Sequence, residues 1–416
     1  MSVDNKVKSQ IPADKLLTML FDDGVYTELT PVANDALSVV TACGKIQGQN
    51  VYAFAQNADC TGGAMTATVA QKLTKLYAMA LKTGYPVVAF YLGSRAQIAQ
   101  GNMLLDALGD LVASASRLSG VVPQISVVLG DVVSSTAILA NCADFVVMSE
   151  NAKLSMSADS ECKGISKASL LVADAGEAVD AVVNLLSFLP ANNLSQAPVV
   201  SQAVPCADTY LDKDSELVLF EKTGEGAVVS FARVAGKAVG VVKTLGKTLD
   251  CKTCKKIAKF VSVCDAFSIP VITEVNAEEF ECLTGATALL SAYTEATTLK
   301  LSVVTGKATG PVYMTLAGKA GRMDAVLALE GAVVSPIKPE AAAYLALSDE
   351  LTGTVAEQDA KIAQYVATEL SAENAAKAGY IDDVATTDTL RNKLINYLDI
   401  LSSKRESSLP KKHSTI

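Results

Sequence analysis

Short, continuous apolar runs alternate with stretches of helical period along most of the chain. Val51–Gln56 reads as a strand and Ala67–Lys82 as a helix. Pro86–Leu92 (PVVAFYL) is a buried strand, Asn102–Leu118 a helix, and Ile125–Leu129 (ISVVL) a further buried strand. A helical Ser135–Ala140 and a strand Phe145–Met148 follow. Strands that are apolar at every position are covered on both faces, so the pattern predicts an α/β fold with helices layered on sheet.

The same order of elements then recurs. Val39–Phe54 and Val228–Val242 are each a strand, a Gly turn (Gly48, Gly236) and a second strand, as in a hairpin. The run GYPVVAF ending at Phe90 is answered by SIPVITEV ending at Val275. Ser126 and Ser302 open similar segments 176 residues apart, and Gly130 and Gly306 keep that offset. Several elements in one order at nearly one spacing imply two homologous domains. The expected division is 1–200 and 215–401, with a Ser-, Asn- and Asp-rich linker at 201–214 and a polar, fraying tail at 402–416.

Composition narrows the chemistry. Half of the 416 residues are apolar, 19% are charged, and mean hydropathy is +0.31, which excludes a disordered chain. The single histidine, His413, excludes a His-dependent triad, a multi-His zinc site and a His base in a folded core. The formal charge is −9, and no basic stripe precedes Lys404, Arg405, Lys411 and Lys412, so nucleic acid is not an expected partner. No apolar run reaches the roughly 18 residues of a membrane span. The opening MSVDNKVKSQIPADK lacks a signal-peptide core, and the nine scattered cysteines argue against a disulfide framework. The expected compartment is the reducing cytoplasm.

Cys251 and Cys254 form a lone CxxC. With Ala258, Val261 and Asp265 they fall on one helix face, so a structural role is preferred to redox activity, and no metal site is expected. Glu278, Glu279 and Glu281 cluster in one loop, where solvation is preferred to a general-base role.

Several segments resemble one family. Leu16–Leu29 (LLTMLFDDGVYTEL) is similar to an opening DxGSFxEL pattern. Val39–Met65 resembles the family hairpin and its following Gly-Gly turn, here Gly62 and Gly63. Gly120–Met148 (GVVPQISVVLGDVVSSTAILANCADFVVM) aligns without a gap to a G-(V/I)-P-Q-I-S…G…AGGA…DF stretch. Phe260–Ile272, Ala375–Val384 (AAKAGYIDDV) and the closing PKKHSTI are similar to its CDAF-x-IP, GYID-D/E-V and basic-tail signatures. The family is the carboxyltransferase subunit of biotin-dependent acyl-CoA carboxylases and decarboxylases, of the propionyl-CoA carboxylase beta type. The resemblance covers nearly the whole chain, with a shortened N-terminal region.

That resemblance implies tandem crotonase-like domains. It implies transfer of CO2 between carboxybiotin and the alpha carbon of an acyl-CoA thioester. Backbone amides at two helix starts form the oxyanion holes, which is chemistry that needs no histidine. Biotin resides on a separate carrier protein, since the chain has no AMKM-type biotinylation motif. Biotin carboxylase or membrane decarboxylase subunits are further partners. The resemblance further implies a site between the first domain of one subunit and the second domain of another, in a dimer or a trimer of dimers.

Carried onto this chain, the family AGGA becomes Val133, Ser134, Ser135 and Thr136, where hydroxyls narrow the approach or add donors. A Ser N-cap is the plainer reading there. The family GGAY becomes Gly310, Pro311, Val312 and Tyr313, and Pro311 lacks an N–H. An Asp that shapes the acyl pocket falls on Met314. The SGGARIQEG loop becomes Gly93, Ser94, Arg95, Ala96 through Gly101, where Arg95 is a candidate for a CoA phosphate or substrate carboxylate. A long ligand-closing loop is shortened to Asn276–Thr287. Two other readings stay open: a CoA-binding scaffold paralogue without full activity, and a crotonase-type hydrolase using Ser134 or Ser135.

Overall fold

A computed structural model describes residues 11–29, 37–57, 60, 63–94, 96, 98–246 and 248–406. The chain divides into two compact units, Met1–Gln196 and Ala197–Ile416. The described residues of each unit form one eight-stranded sheet with helices against it.

The first sheet contains β1 (Tyr26–Glu28), β2 (Val39–Ile46), β3 (Gln49–Gln56), β4 (Val87–Gly93), β5 (Gln124–Val133), β6 (Phe145–Ser149), β7 (Lys153–Ser155) and β8 (Leu170–Val172). Its order is β1-β2-β3-β4-β5-β6-β8, with β7 also paired to β5. The second contains β9 (Leu217–Leu219), β10 (Ala227–Val234), β11 (Lys237–Thr244), β12 (Val271–Ala277), β13 (Lys300–Thr309), β14 (Ala325–Leu329), β15 (Val333–Ser335) and β16 (Asp383–Ala385). Its order is β9-β10-β11-β12-β13-β14-β16, with β15 on β13. In each sheet the first three strands are antiparallel and the rest parallel. The repeat inferred from the sequence is therefore a repeat of topology.

The two halves also share their polar ties. Asp22 accepts the N–H groups of Gln47 and Gly48 at 2.8 Å each, and Asp212 accepts those of Ala235 and Gly236 at 3.1 and 2.7 Å. Each carboxylate thus holds a two-residue hairpin turn with positive φ at both positions. Lys72 donates to the Val39 carbonyl, and Lys256 to those of Gly224 and Ala227. Asp144 accepts the Gln124 N–H at 2.9 Å and Asp324 the Lys300 N–H at 2.8 Å. Thr66 and Asp250 cap the helices Ala67–Thr83 and Cys251–Ala266.

Helix Ala67–Thr83 buries Val69, Ala70, Leu73, Leu76, Tyr77 and Ala80, a spacing that makes one apolar stripe against the sheet. It ends where Gly84 turns left-handed at φ +70°. Helix Asn102–Leu118 has the predicted bounds. Residues 198–212 belong to the second unit. Pro198 accepts from Arg233, Val200 donates to the Gly236 carbonyl, and Asp212 is buried. The start of the polar tail is tied down rather than frayed: Lys404 lies 2.9 Å from Asp324 and 3.0 Å from Glu406. Lys411, Lys412 and His413 lie outside the described residues.

Candidate active site

β5 and β13 are each ten residues long, and each runs directly into a helix. The residue that makes this turn is left-handed in both units: Ser134 at φ +58° and Gly310 at φ +44°. They are 176 residues apart, the offset of the sequence repeat. Gly310 is required by space as well as angle, since a Cβ there would sit 2.8 Å from the Pro336 carbonyl oxygen. Ser134 adopts the same conformation with a side chain, at a cost of about 1–2 kcal/mol.

The expectation of a Ser N-cap is corrected. The capping residue is Val133, which supplies no side-chain hydrogen bond, and the helix runs Ser134–Asn141. The first four N–H groups of a helix have no intrahelical partner, and the helix dipole adds positive potential there. The Val133 N–H is accepted by Ser94 Oγ, so Ser94 fastens the loop after β4 to the end of β5. The second unit answers with Thr309, whose hydroxyl donates to the Glu278 carbonyl. Ser134 is exposed, Ser135 half-buried and Thr136 buried. Among the described residues no carboxylate or histidine hydrogen-bonds to the hydroxyl of Ser134 or Ser135.

Gly93 ends β4, and Ala96 bridges to Met65 in the segment after the Gly-Gly turn. Arg95 and Gly62 lie outside the described residues. Gln56 holds this loop, a role that the sequence reading missed. Its buried Oε1 accepts the N–H groups of Leu92 and Gly93 at 2.6 and 2.9 Å, and its Nε2 donates to the Gly63 carbonyl. Thr244 does the equivalent work in the second unit, accepting the Asn276 N–H at 2.6 Å. Only a matched pair of polar residues at the ends of β3 and β11 could have signalled this.

In the second unit Pro311 occupies the first helical turn, Val312 is fully buried, and the Tyr313 N–H is committed to the Gly310 carbonyl. Any free amide from this turn therefore comes from Gly310 or Val312. A cleft of about 450 Å³ opens beside it, lined by Gly310, Met314, Ser335, Leu370, Ala375 and Tyr380 among others. Met314 is 58% exposed on its rim. The Ser335 hydroxyl is buried and has no hydrogen-bond partner among the described residues. Tyr313 donates to the Tyr380 carbonyl at 2.8 Å, which joins the turn to the GYIDDV segment. Burial, followed by Asp382 and Tyr380, pushes the Tyr313 phenol up, so it stays a donor at neutral pH.

The loop predicted at Asn276–Thr287 is shorter in the structure, since β12 runs to Ala277 and a helix begins at Leu283. Glu278 pairs with Lys307 at 2.9 Å and Glu279 with Lys338 at 3.3 Å. The two carboxylates lie in an ion-paired surface.

Comparison with known proteins agrees with this architecture. The carboxyl transferase domain model matches residues 18–163 and 212–416. The alpha subunit of methylmalonyl-CoA decarboxylase from Propionigenium modestum is 27% identical over 483 aligned positions, covering 98% of this chain and 93% of the relative. The propionyl-CoA carboxylase beta chain of Saccharopolyspora erythraea is 29% identical, with 98% and 91% covered. Both aligned spans exceed 416 residues, so the relatives carry insertions that this chain lacks. A crystal structure of transcarboxylase 12S, a hexamer with hydrolysed methylmalonyl-coenzyme A bound, superposes with a TM-score of 0.89 at 25% identity, covering 97% of this chain and 92% of that one. The described residues include no helix long and apolar enough to cross a membrane. The chain belongs to the carboxyl transferase domain family.

Proposed function

We propose that the protein is the carboxyltransferase component of a biotin-dependent acyl-CoA carboxylase or decarboxylase. The observation that carries this reading is the repeated strand–left-handed residue–helix turn at Ser134 and Gly310, in a chain that matches the family over nearly all its length. Under this reading the Ser134–Thr136 amides receive the enolate-like oxygen of the acyl-CoA thioester, where the helix dipole favours developing negative charge. Ser94 keeps the end of β5 and the neighbouring loop in register, and Gly93 lets the thioester approach the backbone. Arg95 and Ala96 belong to the loop that faces the CoA moiety.

The Gly310 turn receives the ureido oxygen of biotin. Three features support that fit: the close approach to Pro336 that only glycine allows, the partnerless Ser335 hydroxyl, and an apolar cleft bordered by Met314. Biotin supplies a ring nitrogen that takes up and releases the carboxyl group. A carrier protein delivers it, and the two turns meet between subunits of a homo-oligomer. Methylmalonyl-CoA is the first substrate to test, given what the relatives act on.

A second reading, a CoA-binding subunit without turnover, is favoured by Pro311, which removes one amide from the turn. Gly310→Ala separates the parts of the first reading. The added Cβ should abolish transfer to biotin and leave binding of the CoA ester, measured by calorimetry, unchanged. Loss of CoA-ester binding in Gly310→Ala would overturn the assignment of the two turns. Binding without any turnover in the unmodified protein would favour the second reading.

A further inference from the structure

Cys251 and Cys282 are brought together by the fold, and the reaction described above uses neither. Cys251 opens helix Cys251–Ala266, and Cys282 is the N-cap of helix Leu283–Glu295. Main-chain ties hold the two starts side by side. Leu249 donates to the Glu279 carbonyl at 3.0 Å, Glu281 donates to the Leu249 carbonyl at 3.1 Å, and Leu249 bridges Phe280. Gly285 makes the approach feasible, because a Cβ there would lie 3.2 Å from Cys251 Cα and 3.0 Å from Cys254 Cβ. Cys282 Sγ accepts the N–H of Gly285 at 3.3 Å, the same glycine that lies against Cys251. Both cysteines are half-buried and free.

The backbone N–H that Cys282 Sγ accepts at the start of helix Leu283–Glu295 favours a thiolate there, which makes Cys282 the attacking sulfur. The Cys251 thiol and then the Gly285 amide hold Cys282 below the usual thiol range, while the contact with Cys282 raises Cys251. Cys254, the other half of the CxxC, is buried, and burial pushes its thiol up to about 12. The CxxC spacing alone would have named the wrong pair. The described residues include no group of three or more His, Cys, Asp or Glu side chains placed to hold a metal.

We propose that Cys282 and Cys251 form a peroxide-reactive dithiol, with Cys282 as the attacking and Cys251 as the resolving sulfur. The Cys282 thiolate attacks one oxygen of hydrogen peroxide. An S–O bond forms, the O–O bond breaks, and the departing hydroxide takes a proton to become water. Cys251, after giving its proton to solvent, attacks the Cys282 sulfenic sulfur. An S–S bond forms, and the second hydroxide leaves and is protonated to water. The two sulfurs together lose two electrons and the peroxide gains two. The disulfide would pin the 278–281 loop, whose Glu278 carbonyl holds Thr309 beside the Gly310 turn.

The test uses the reduced full chain and does not depend on carboxyl transfer. At neutral pH, iodoacetamide should alkylate Cys282 about tenfold faster than the exposed Cys162. One equivalent of hydrogen peroxide should then remove two alkylatable thiols and give a Cys251–Cys282 cross-linked peptide by mass spectrometry. In Cys251→Ser, dimedone should trap a sulfenic acid at Cys282, and Cys282→Ser should lose the fast peroxide consumption. Equal labelling of Cys282 and Cys162 in the unmodified chain would overturn the proposal. So would a Cys251–Cys254 link, or unchanged peroxide consumption in Cys282→Ser.

Discussion

Ser134 and Pro311 stand in the two strand-to-helix turns, one left-handed despite its side chain and the other without an N–H. Ser134 holds φ +58°, a region that an L side chain enters at a cost of about 1–2 kcal/mol. Ser134→Gly should therefore raise the unfolding free energy of the first unit by up to about 1 kcal/mol, part of the gain being lost to the greater freedom of glycine in the unfolded chain. Urea titration reads this directly. Ser134→Val should instead lower stability, since a β-branched residue fits that region worst. Pro311 removes a donor that costs roughly 100-fold or more in rate when it is lost from an oxyanion hole. Pro311→Ala should raise kcat for carboxyl transfer by up to about that factor, with little change in KM for the CoA ester. An unchanged kcat would show that the N–H at this position is not a donor to the reacting oxygen.

At the scale of elements, each hairpin is held by one carboxylate, but the two are not equal. Among the described residues the Asp22 carboxylate hydrogen-bonds only to its turn, whereas Asp212 also pairs with Arg391 at 2.6 Å and is itself buried. Asp212→Ala leaves a largely buried guanidinium uncompensated, so it should cost about 3–5 kcal/mol. Asp22→Ala should cost less, about 1–3 kcal/mol. Chemical denaturation of both variants checks the order. The ties at Lys72 and Lys256 make a second prediction. Burial lowers the Lys256 ammonium to about 8, against about 10.4 in an unfolded chain. Between those values the unfolded state binds more protons, so this lysine contributes a rise in stability with pH across that window. Below it the buried charge is a cost. Compared with the unmodified protein, Lys256→Met should lose that positive contribution to the pH slope between about 8 and 10.

Much of this element structure was legible in the sequence because apolar runs and helical stripes report burial directly. Helix Asn102–Leu118 and the 176-residue repeat are the clearest cases. The turns were less legible. A left-handed serine carries no pattern of its own, so Ser134 read as a cap until its backbone angle was known. The work of Gln56, Ser94 and Cys282 depends on contacts across 36, 39 and 31 positions of chain, which no local window contains.

At the scale of the molecule, two copies of one α/β unit each end their central long strand in the same turn, and each turn presents helix-start amides. Neither turn needs a histidine, which reconciles a chain carrying one histidine with carboxyl-transfer chemistry. The most direct test is transfer of label from carboxyl-labelled methylmalonyl-CoA to free biotin by the purified protein. Biotin-dependent appearance of label in an acid-labile biotin adduct, with matching release of the decarboxylated CoA ester, is the predicted result. Loss of the CoA-ester carboxyl group at the same rate with and without biotin would contradict the account.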